Sequence, residues 1–233
     1  MNKSNPVRLL IDASLILLLL IAMANLLTEN LIHEMVGTTM CLAILYHTAL
    51  NIRWYKALFR GRYNLHRAVN TSVNLMLVVV SSVTLVTSVM ISQSLFGFLE
   101  LEASLFVQTL HTTAAYWLVI LTGTHIGIQW VRLKNTIQRV LTLPNTSVGY
   151  PLLKWLLATF VLVHGVYSSF ERDIATKLFR GDAYGGYWDF EASVAGYFVH
   201  LLAIIGLYAV GSCCLIKVIQ NKPLHRQKNK RTA

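Results

Sequence analysis

The chain has 233 residues, of which 55% are hydrophobic and only 13% are charged, and its mean hydropathy is +0.55. Soluble domains carry about 25% charged residues, so this composition indicates a membrane protein. The formal net charge of +10 comes from cations that lie between long apolar segments. Loop charges of membrane proteins are distributed in this way, which argues against nucleic acid as the partner.

The three cysteines, Cys41, Cys213 and Cys214, all lie in apolar segments, and no Cys-x-x-Cys-His motif is present. The sequence therefore predicts neither a disulfide framework nor a covalently attached c-type haem.

Six apolar runs are long enough for tilted transmembrane helices. They cover residues 7–27, 31–57, 69–95, 104–131, 152–170 and 193–219. The first run is longer than the apolar part of a signal peptide, so we interpret it as a retained helix. The third run is rich in Ser, Thr and Val, which favours close helix packing.

The cations alternate between the connections of these helices. Seventeen of the 20 Lys and Arg residues lie at the start of the first run, in or beside the second and fourth connections, or at the end of the last run and in the C-terminal tail. The exceptions are Arg172, Lys177 and Arg180, whereas all acidic residues except Asp12 lie in or beside the odd-numbered connections. The positive-inside rule then predicts six helices with both termini in the cytoplasm. Asp12 is interpreted as an interfacial polar residue or a proton relay.

Two of the predicted helices each carry a pair of histidines at the same spacing. The segments are HEMVGTTMCLAILYH, from His33 to His47, and HTTAAYWLVILTGTH, from His111 to His125. In an α-helix this spacing is nearly four full turns, so both members of a pair point to nearly the same side, roughly 21 Å apart. Because helices two and four run in the same direction, His33 is expected at the depth of His111, and His47 at the depth of His125.

Facing imidazoles at two depths match the ligand set of bis-histidine haem b, in which an imidazole binds each face of the iron. The pattern predicts two haems b, with His33 and His111 as the outer ligand pair and His47 and His125 as the inner pair. Filled axial positions favour electron transfer over oxygen binding. Hydrogen-bonded packing and a metal-ion or proton path are the other readings of intramembrane histidines.

Residues near the histidines have two readings each. Gly37, Gly123 and Gly127 permit close approach either of a flat macrocycle or of another helix. Arg53 and Lys56 follow His47, where they could pair with haem propionates or simply form part of the positive-inside signal.

The segments HEMVGTTMCLAILYHTALNIRWYKALFRGRYN and LHTTAAYWLVILTGTHIGIQW resemble the flavinylation-associated cytochromes, which are small bacterial membrane cytochromes b first catalogued as a domain of unknown function. A more distant similarity is to the cytochrome b subunits of nickel-iron hydrogenases and formate dehydrogenases. The resemblance covers residues 7–131. It implies a four-helix di-haem bundle in a bacterial inner membrane that passes electrons toward an extracytosolic flavin-bearing or other redox protein. It also implies axial ligation by His33, His47, His111 and His125, and favours propionate contacts for Arg53 and Lys56.

The resemblance does not extend over residues 132–233, which are predicted to form a cytoplasmic connection, two further transmembrane helices and a basic cytoplasmic tail. His164 and His200 lie at similar depths in this helix pair, near the outer side. Three readings remain open for them: ligands of a third haem, a quinol or proton site, or a hydrogen bond across the helix pair.

The sequence thus predicts an all-α integral membrane protein, with a four-helix haem bundle at residues 1–131 followed by a C-terminal helix pair. The predicted function is transmembrane electron transfer between the quinone pool or a reductase and an outer-side redox partner such as a flavoprotein. No nucleotide or flavin fingerprint appears, so an electron-transfer subunit of an oxidoreductase system is favoured over a self-sufficient enzyme. The alternatives are a metal-ion or proton transporter and a membrane anchor for a soluble dehydrogenase.

Overall fold

In the computed structural model, which describes residues 6–142, 151–179 and 188–221, the chain is helical and these ranges contain no strand. Five helices are long and apolar enough to cross a membrane. They are Pro6–Met23, Leu65–Ile91, Leu105–Ile128, Leu152–Glu171 and Val194–Gln220. An all-α, membrane-embedded protein is therefore confirmed. Lys3 and residues 222–233 of the predicted basic tail lie outside the described residues.

The elements follow the predicted apolar runs to within a few residues, except in the second run. The long helices are α1 (Pro6–Met23), α2 (Asn25–Leu50), α4 (Leu65–Ile91), α5 (Leu105–Ile128), α7 (Pro151–Glu171) and α9 (Val194–Asn221). The shorter helices are α3 (Ile52–Ala57), α6 (Trp130–Val140) and α8 (Ile174–Phe179), with a 3₁₀ turn at Gly97–Leu99.

The second run was expected as one helix over residues 31–57, but the structure divides it into α2 and α3. The side-chain amide of Asn51 donates to the carbonyl of His47 at 2.9 Å, and Asn51 itself leaves helical geometry. Near its start α2 is kinked at Glu29, which has φ 59° and ψ 165°. Because α2 carries polar residues at this end, it is not among the five helices with sufficient hydropathy to span a membrane.

The central helix of the fold is α5, which packs along α4 on one side and along α9 on another. The outer face of α9 packs against α7, while α1 pairs with α2. The core consists of apolar residues of α5 and α9 such as Val119 and Ile204, each 1% exposed. The α1–α2 hairpin meets α4 at few positions, and the Tyr197 hydroxyl of α9 donates to the carbonyl of Met23 at its tip.

Glycines allow α9 to lie close to its neighbours. A Cβ added at Gly123 or Gly127 of α5 would lie 2.5 Å from the carbonyl oxygen of Ile205 or 2.1 Å from that of Ala209. Gly165 of α7 meets α9 in the same way. Of the two readings given for Gly123 and Gly127, the structure therefore supports helix packing, as in other membrane bundles.

Large apolar side chains cover the outside of the helices. Leu10, Leu17, Leu42, Phe160 and Phe170 are each more than half exposed. A surface of this kind would be unfavourable in water and is the one expected in contact with lipid.

Candidate functional site

A cavity of about 410 Å³ separates the α1–α2 hairpin from α4 and α5. Its volume lies in the range of about 300–1,000 Å³ that is typical of small-molecule and cofactor sites. His33 and Gly37 line it from α2, and His111 lines it from α5. A Cβ at Gly37 would meet no atom within 4 Å, so this helix face opens onto empty space.

The structure brings His33 and His111 together across this space, as the histidine spacing predicted. Their ring centroids are 6.3 Å apart and their planes are inclined by 79°. When two imidazoles bind one metal from opposite sides, each ring centroid lies about 3 Å from the metal, which is a bond of about 2 Å plus a ring radius of about 1 Å. The two centroids are then roughly 6 Å apart. The observed separation therefore suits two axial ligands of one metal ion.

Hydrogen bonds determine which nitrogen of His111 carries the proton. Nδ1 lies 3.2 Å from the carbonyl oxygen of Thr84 and 3.1 Å from the hydroxyl of Thr87. A carbonyl only accepts, and the Thr87 hydroxyl is within hydrogen-bonding distance of the carbonyls of Val83 and Thr84, so Nδ1 is the donor. The Nε2 lone pair is then available to a metal, which is the usual arrangement of a ligating histidine.

The surroundings of His33 differ from those of His111. Its Nδ1 is buried and has no hydrogen-bond partner among the described residues, and the Ala22 backbone interacts with the imidazole. Buried polar atoms normally have a partner. This unsatisfied nitrogen shows that the imidazole is incompletely paired in the protein by itself, which is compatible with a site completed by a ligand.

Glu34, the next residue, holds this part of α2 against the end of α4. Its carboxylate accepts hydrogen bonds from the backbone amides of Gln93 (2.9 Å) and Leu95 (2.7 Å) and from the Ser92 hydroxyl (2.7 Å). Hydrogen bonds to an ionised carboxylate are stronger than neutral ones. Glu34 thus fixes the position of His33 relative to α4.

The second histidine of α2, His47, has a charged partner. Its Nδ1 lies 2.9 Å from a carboxylate oxygen of Asp12 on α1. Its Nε2 lies 3.3 Å from the amide nitrogen of Asn51. Arg8 donates to Asn51 as well, at 3.2 Å. Asp12 therefore orients His47, whereas Asn51 contacts the nitrogen that a metal would need.

The second histidine of α5, His125, has an amide partner. Nδ1 lies 2.8 Å from the side-chain oxygen of Asn74 on α4, so Nδ1 donates and Nε2 is the free lone pair. His47 and Asp12 lie within electrostatic reach of His125, but no ring contact joins the two histidines among the described residues. Since His33 lies near His111 and His47 lies toward His125, α2 and α5 run in the same direction, as predicted.

The donor set suits a porphyrin-bound metal. No group of three or more His, Cys, Asp or Glu side chains that could hold a metal ion occurs among the described residues. A haem needs only two axial ligands from the protein, because the porphyrin supplies the equatorial ones. The pairing of His33 with His111, beside the open face at Gly37, meets that requirement.

The predicted propionate contacts, Arg53 and Lys56, lie on α3 and are exposed. Within the part of the chain that the structure describes, no contact joins them to His47 or His125. The loop after α3 is instead held by Arg67, which donates to the carbonyls of Ala57 at 2.8 Å and Arg60 at 2.6 Å.

His164 and His200 are neighbours on α7 and α9. Their centroids are 5.7 Å apart and the rings are inclined by 28°. His200 shares a hydrogen bond of 2.9 Å with the hydroxyl of Ser168, which is fully buried on α7. Tyr167 contacts both histidine rings. Of the three readings given for this histidine pair, the structure shows a hydrogen bond across the helix pair, formed by His200 with Ser168.

Several residues of the site were assigned no role from the sequence. Asn74 could have been found as an amide within an apolar run, and Thr84 and Thr87 were interpreted only as packing residues. Arg172 and Lys177, which also line the cavity, stand out in the sequence as cations that depart from the charge alternation.

No protein-family model, no curated protein and no solved structure matches this chain. The resemblance to flavinylation-associated cytochromes therefore remains a prediction that rests on the two histidine segments.

Proposed function

We propose that this chain is a membrane cytochrome b that carries two bis-histidine haems b and transfers electrons across a bacterial inner membrane. The observation that carries the proposal is the approach of His33 and His111 from two parallel helices, with their centroids 6.3 Å apart beside a cavity. The hydrogen bond from His111 to Thr84 leaves the ring in the ligating tautomer.

The two pairs would hold the haems at two levels of the membrane. His33 and His111 form one ligand pair and His47 and His125 the other, roughly 20 Å apart along the helices. A haem bound between two imidazoles supplies reversible one-electron chemistry and has no open axial position. Thr84 and Asn74 hold the α5 ligands in the tautomer required, and Asp12 does the same for His47.

The proposal counts α2 as a sixth transmembrane helix. Two of its polar side chains are paired with neighbouring helices: His47 with Asp12 of α1, and Glu34 with Ser92 and the 93–95 backbone after α4. The histidines then become interior ligands rather than charges in lipid, which offsets the low hydropathy of α2. The charge alternation favours cytoplasmic termini and electron transfer between the quinone pool or a reductase and an outer-side redox protein such as a flavoprotein.

A reduced-minus-oxidised absorption spectrum of the detergent-purified chain, with extracted haem counted per chain, tests the proposal. We expect a low-spin b-type spectrum and two haems per chain. A count of three would add His164 and His200 to the ligand set. A folded chain that contains no haem after production in haem-supplied cells would contradict the proposal.

A second function, proton conduction, is favoured by one contact. The carboxylate of Asp12 lies 2.9 Å from Nδ1 of the His47 imidazole, and carboxylate–histidine pairs can relay protons within a membrane. This reading predicts a colourless protein whose proton flux in liposomes is lost in Asp12→Asn. The haem count decides between the two functions.

A further inference from the structure

Four ring side chains form a cluster on the surface of the α7–α9 helix pair. His164 and Tyr167 of α7 and His200 of α9 form a triangle, with ring centroids 5.7, 5.8 and 6.0 Å apart. Phe160 stacks with His164 at 5.8 Å. Aromatic rings attract one another at such separations. These four residues are called the α7–α9 ring cluster below.

The α7–α9 ring cluster faces outward within the membrane-spanning part of both helices. Phe160 is 67% exposed and Tyr167 is 55% exposed, and the two histidines are partly exposed. Both helices are among the five that are apolar enough to cross a membrane. Each histidine lies six or seven residues inside the nearer end of its helix, which is roughly 10 Å at 1.5 Å per residue. The cluster is therefore accessible from lipid.

The polar atoms of the cluster are incompletely paired. Nδ1 of His200 lies 2.9 Å from the hydroxyl of Ser168, which accounts for one nitrogen of that ring. The ring nitrogens of His164 and the hydroxyl of Tyr167 form no hydrogen bond with another described residue. Lipid offers no water to satisfy such groups, and histidines within a bilayer are costly enough to indicate a function. The arrangement suits a polar ligand that arrives through the membrane.

Trp188 joins the cluster to the cavity of the first histidine pair. Its ring centroid lies 5.3 Å from that of His200. The same residue lines the cavity together with His33 and His111. The indole N–H donates to the carbonyl of Ser193 at 2.6 Å, which holds the ring in this position. One aromatic side chain therefore touches both the cluster and the cavity.

These features select the chemical class of the ligand. It must dissolve in the membrane, present a flat ring to aromatic side chains and form hydrogen bonds with an imidazole and a phenol. A neutral imidazole donates from one nitrogen and accepts at the other, and a tyrosine hydroxyl does both. Quinones and quinols meet these requirements, because their flat ring carries two oxygens that accept hydrogen bonds and, in the quinol, also donate them.

We propose that the α7–α9 ring cluster binds the headgroup of a membrane quinone or quinol, with His164 and Tyr167 as its hydrogen-bonding residues. The site rests on the proposed function, in which the quinone pool is one of two candidate redox partners, and it places that partner beside the first histidine pair. Both residues lie outside the segment with the cytochrome resemblance. Of the readings left open for His164 and His200, this is the quinol site.

Photolabelling with an azidoquinone locates the site. The purified full chain is reconstituted in lipid nanodiscs and irradiated with the probe at rising concentrations of decylubiquinone, and mass spectrometry identifies the labelled residues. We expect labels in the segments around His164 and His200, and we expect decylubiquinone to remove them by competition. Labels that are spread over all exposed helices, or that excess decylubiquinone does not reduce, would overturn the proposal.

Two substitutions remove the hydrogen-bonding groups but keep the aromatic rings. His164→Phe and Tyr167→Phe should each raise the decylubiquinone concentration for half-maximal competition roughly tenfold, which corresponds to the loss of one hydrogen bond. If His164→Phe does not fold, Tyr167→Phe carries the same test, because it removes a single hydroxyl.

Matched controls remove the same groups outside the cluster. His66→Phe changes a histidine at the start of α4, and Tyr46→Phe changes an exposed tyrosine of α2. Both should leave the half-maximal concentration unchanged. Unchanged competition in the two cluster variants, or an equal effect in the controls, would overturn the proposal.

A haem count on the same preparation separates this proposal from the proposed function. Competed labelling of a chain without haem would contradict the proposed function and support the quinone site. Two haems without competed labelling would overturn the quinone site and leave a reductase as the redox partner. Three haems per chain would assign His164 and His200 to a third haem and would also overturn the quinone site.

Discussion

The two histidine pairs are built differently, although the sequence presents them as repeats. His33 and His111 meet across an open cavity, and the hydrogen-bond partners of His111, the Thr84 carbonyl and the Thr87 hydroxyl, are neutral. His47 and His125 make no ring contact with each other in the described part of the chain, yet each has a strong Nδ1 partner, of which Asp12 is charged.

The difference indicates that the first pair depends on the volume between the helices and the second pair on the charge beside the histidines. At the first pair the protein leaves room between the helices, as the open face of Gly37 shows. At the second pair it supplies a carboxylate that orients the imidazole of His47 through Nδ1. We therefore expect the first pair to be sensitive to changes of volume and the second pair to changes of charge.

The largest effect is expected when a histidine ligand is removed. His111→Ala should eliminate the haem of the first pair and His125→Ala that of the second, so that each lowers the haem count to roughly half. The measurement is extracted haem per folded chain, and the two difference spectra should add up to that of the unmodified protein. His66→Ala, which removes a histidine of the α4 N-terminus outside both pairs, is the control. Unchanged haem content in either ligand variant would contradict the assignment of that pair.

A smaller effect is expected from filling the cavity. Gly37→Leu places a large side chain in the space beside His33 and should weaken haem binding at the first pair roughly tenfold, because overpacking costs about 1–3 kcal/mol. Gly211→Leu on α9 is the matched control, since a Cβ there also meets nothing within 4 Å but lies outside the cavity.

Both glycine variants should fold, because leucine is a better helix former than glycine. Haem retention during dilution is measured in two backgrounds. His47→Ala leaves only the first pair to bind haem, and His111→Ala leaves only the second. Equal retention in Gly37→Leu and Gly211→Leu would show that the cavity is not the site of the first haem.

The smallest effect is expected from changing the charge at the second pair. Asp12→Asn removes the carboxylate that stabilises the oxidised, more positive iron of the second pair. It should raise the midpoint potential of that haem by roughly 30–60 mV, which is up to a tenfold change in the equilibrium constant for its one-electron reduction. Asn74→Asp adds a carboxylate beside His125 and should lower the same potential. Redox titration measures both changes.

The midpoint potential of the first pair is the internal reference for these two variants. It should stay unchanged in both, since Asp12 hydrogen-bonds to His47 and Asn74 to His125, which both belong to the second pair. Shifts of the same sign in the two variants would contradict an electrostatic origin.

Much of the fold was predictable from hydropathy alone. Five of the six apolar runs coincide with the five apolar helices to within a few residues. The run at 31–57 was the exception, because Asn51 bonds back to His47 and ends α2 before the basic segment begins. Hydropathy does not register such a local side-chain contact.

The site was predictable only in part, for a similar reason. The spacing of His33, His47, His111 and His125 depends on helix geometry within one segment, and the structure brings His33 and His111 together accordingly. Asn74 and Thr84 act across helices, and their role depends on how α4 is rotated against α5. Arg53 and Lys56 were favoured as contacts of the haem at His47 because they follow it in sequence, whereas Arg172 and Lys177, which were assigned no role, line the cavity at His33 and His111.

The sequence by itself determined the membrane class, the approximate bounds of five of the six long helices and the spacing of the histidines in α2 and α5, because each of these follows from periodicity and composition within a single segment. Only the tertiary structure decided which pair faces a cavity, which partner orients each imidazole, and which glycines contact α9 rather than open space. These features depend on distances between helices that are far apart in the chain, and no local pattern of residues encodes such distances.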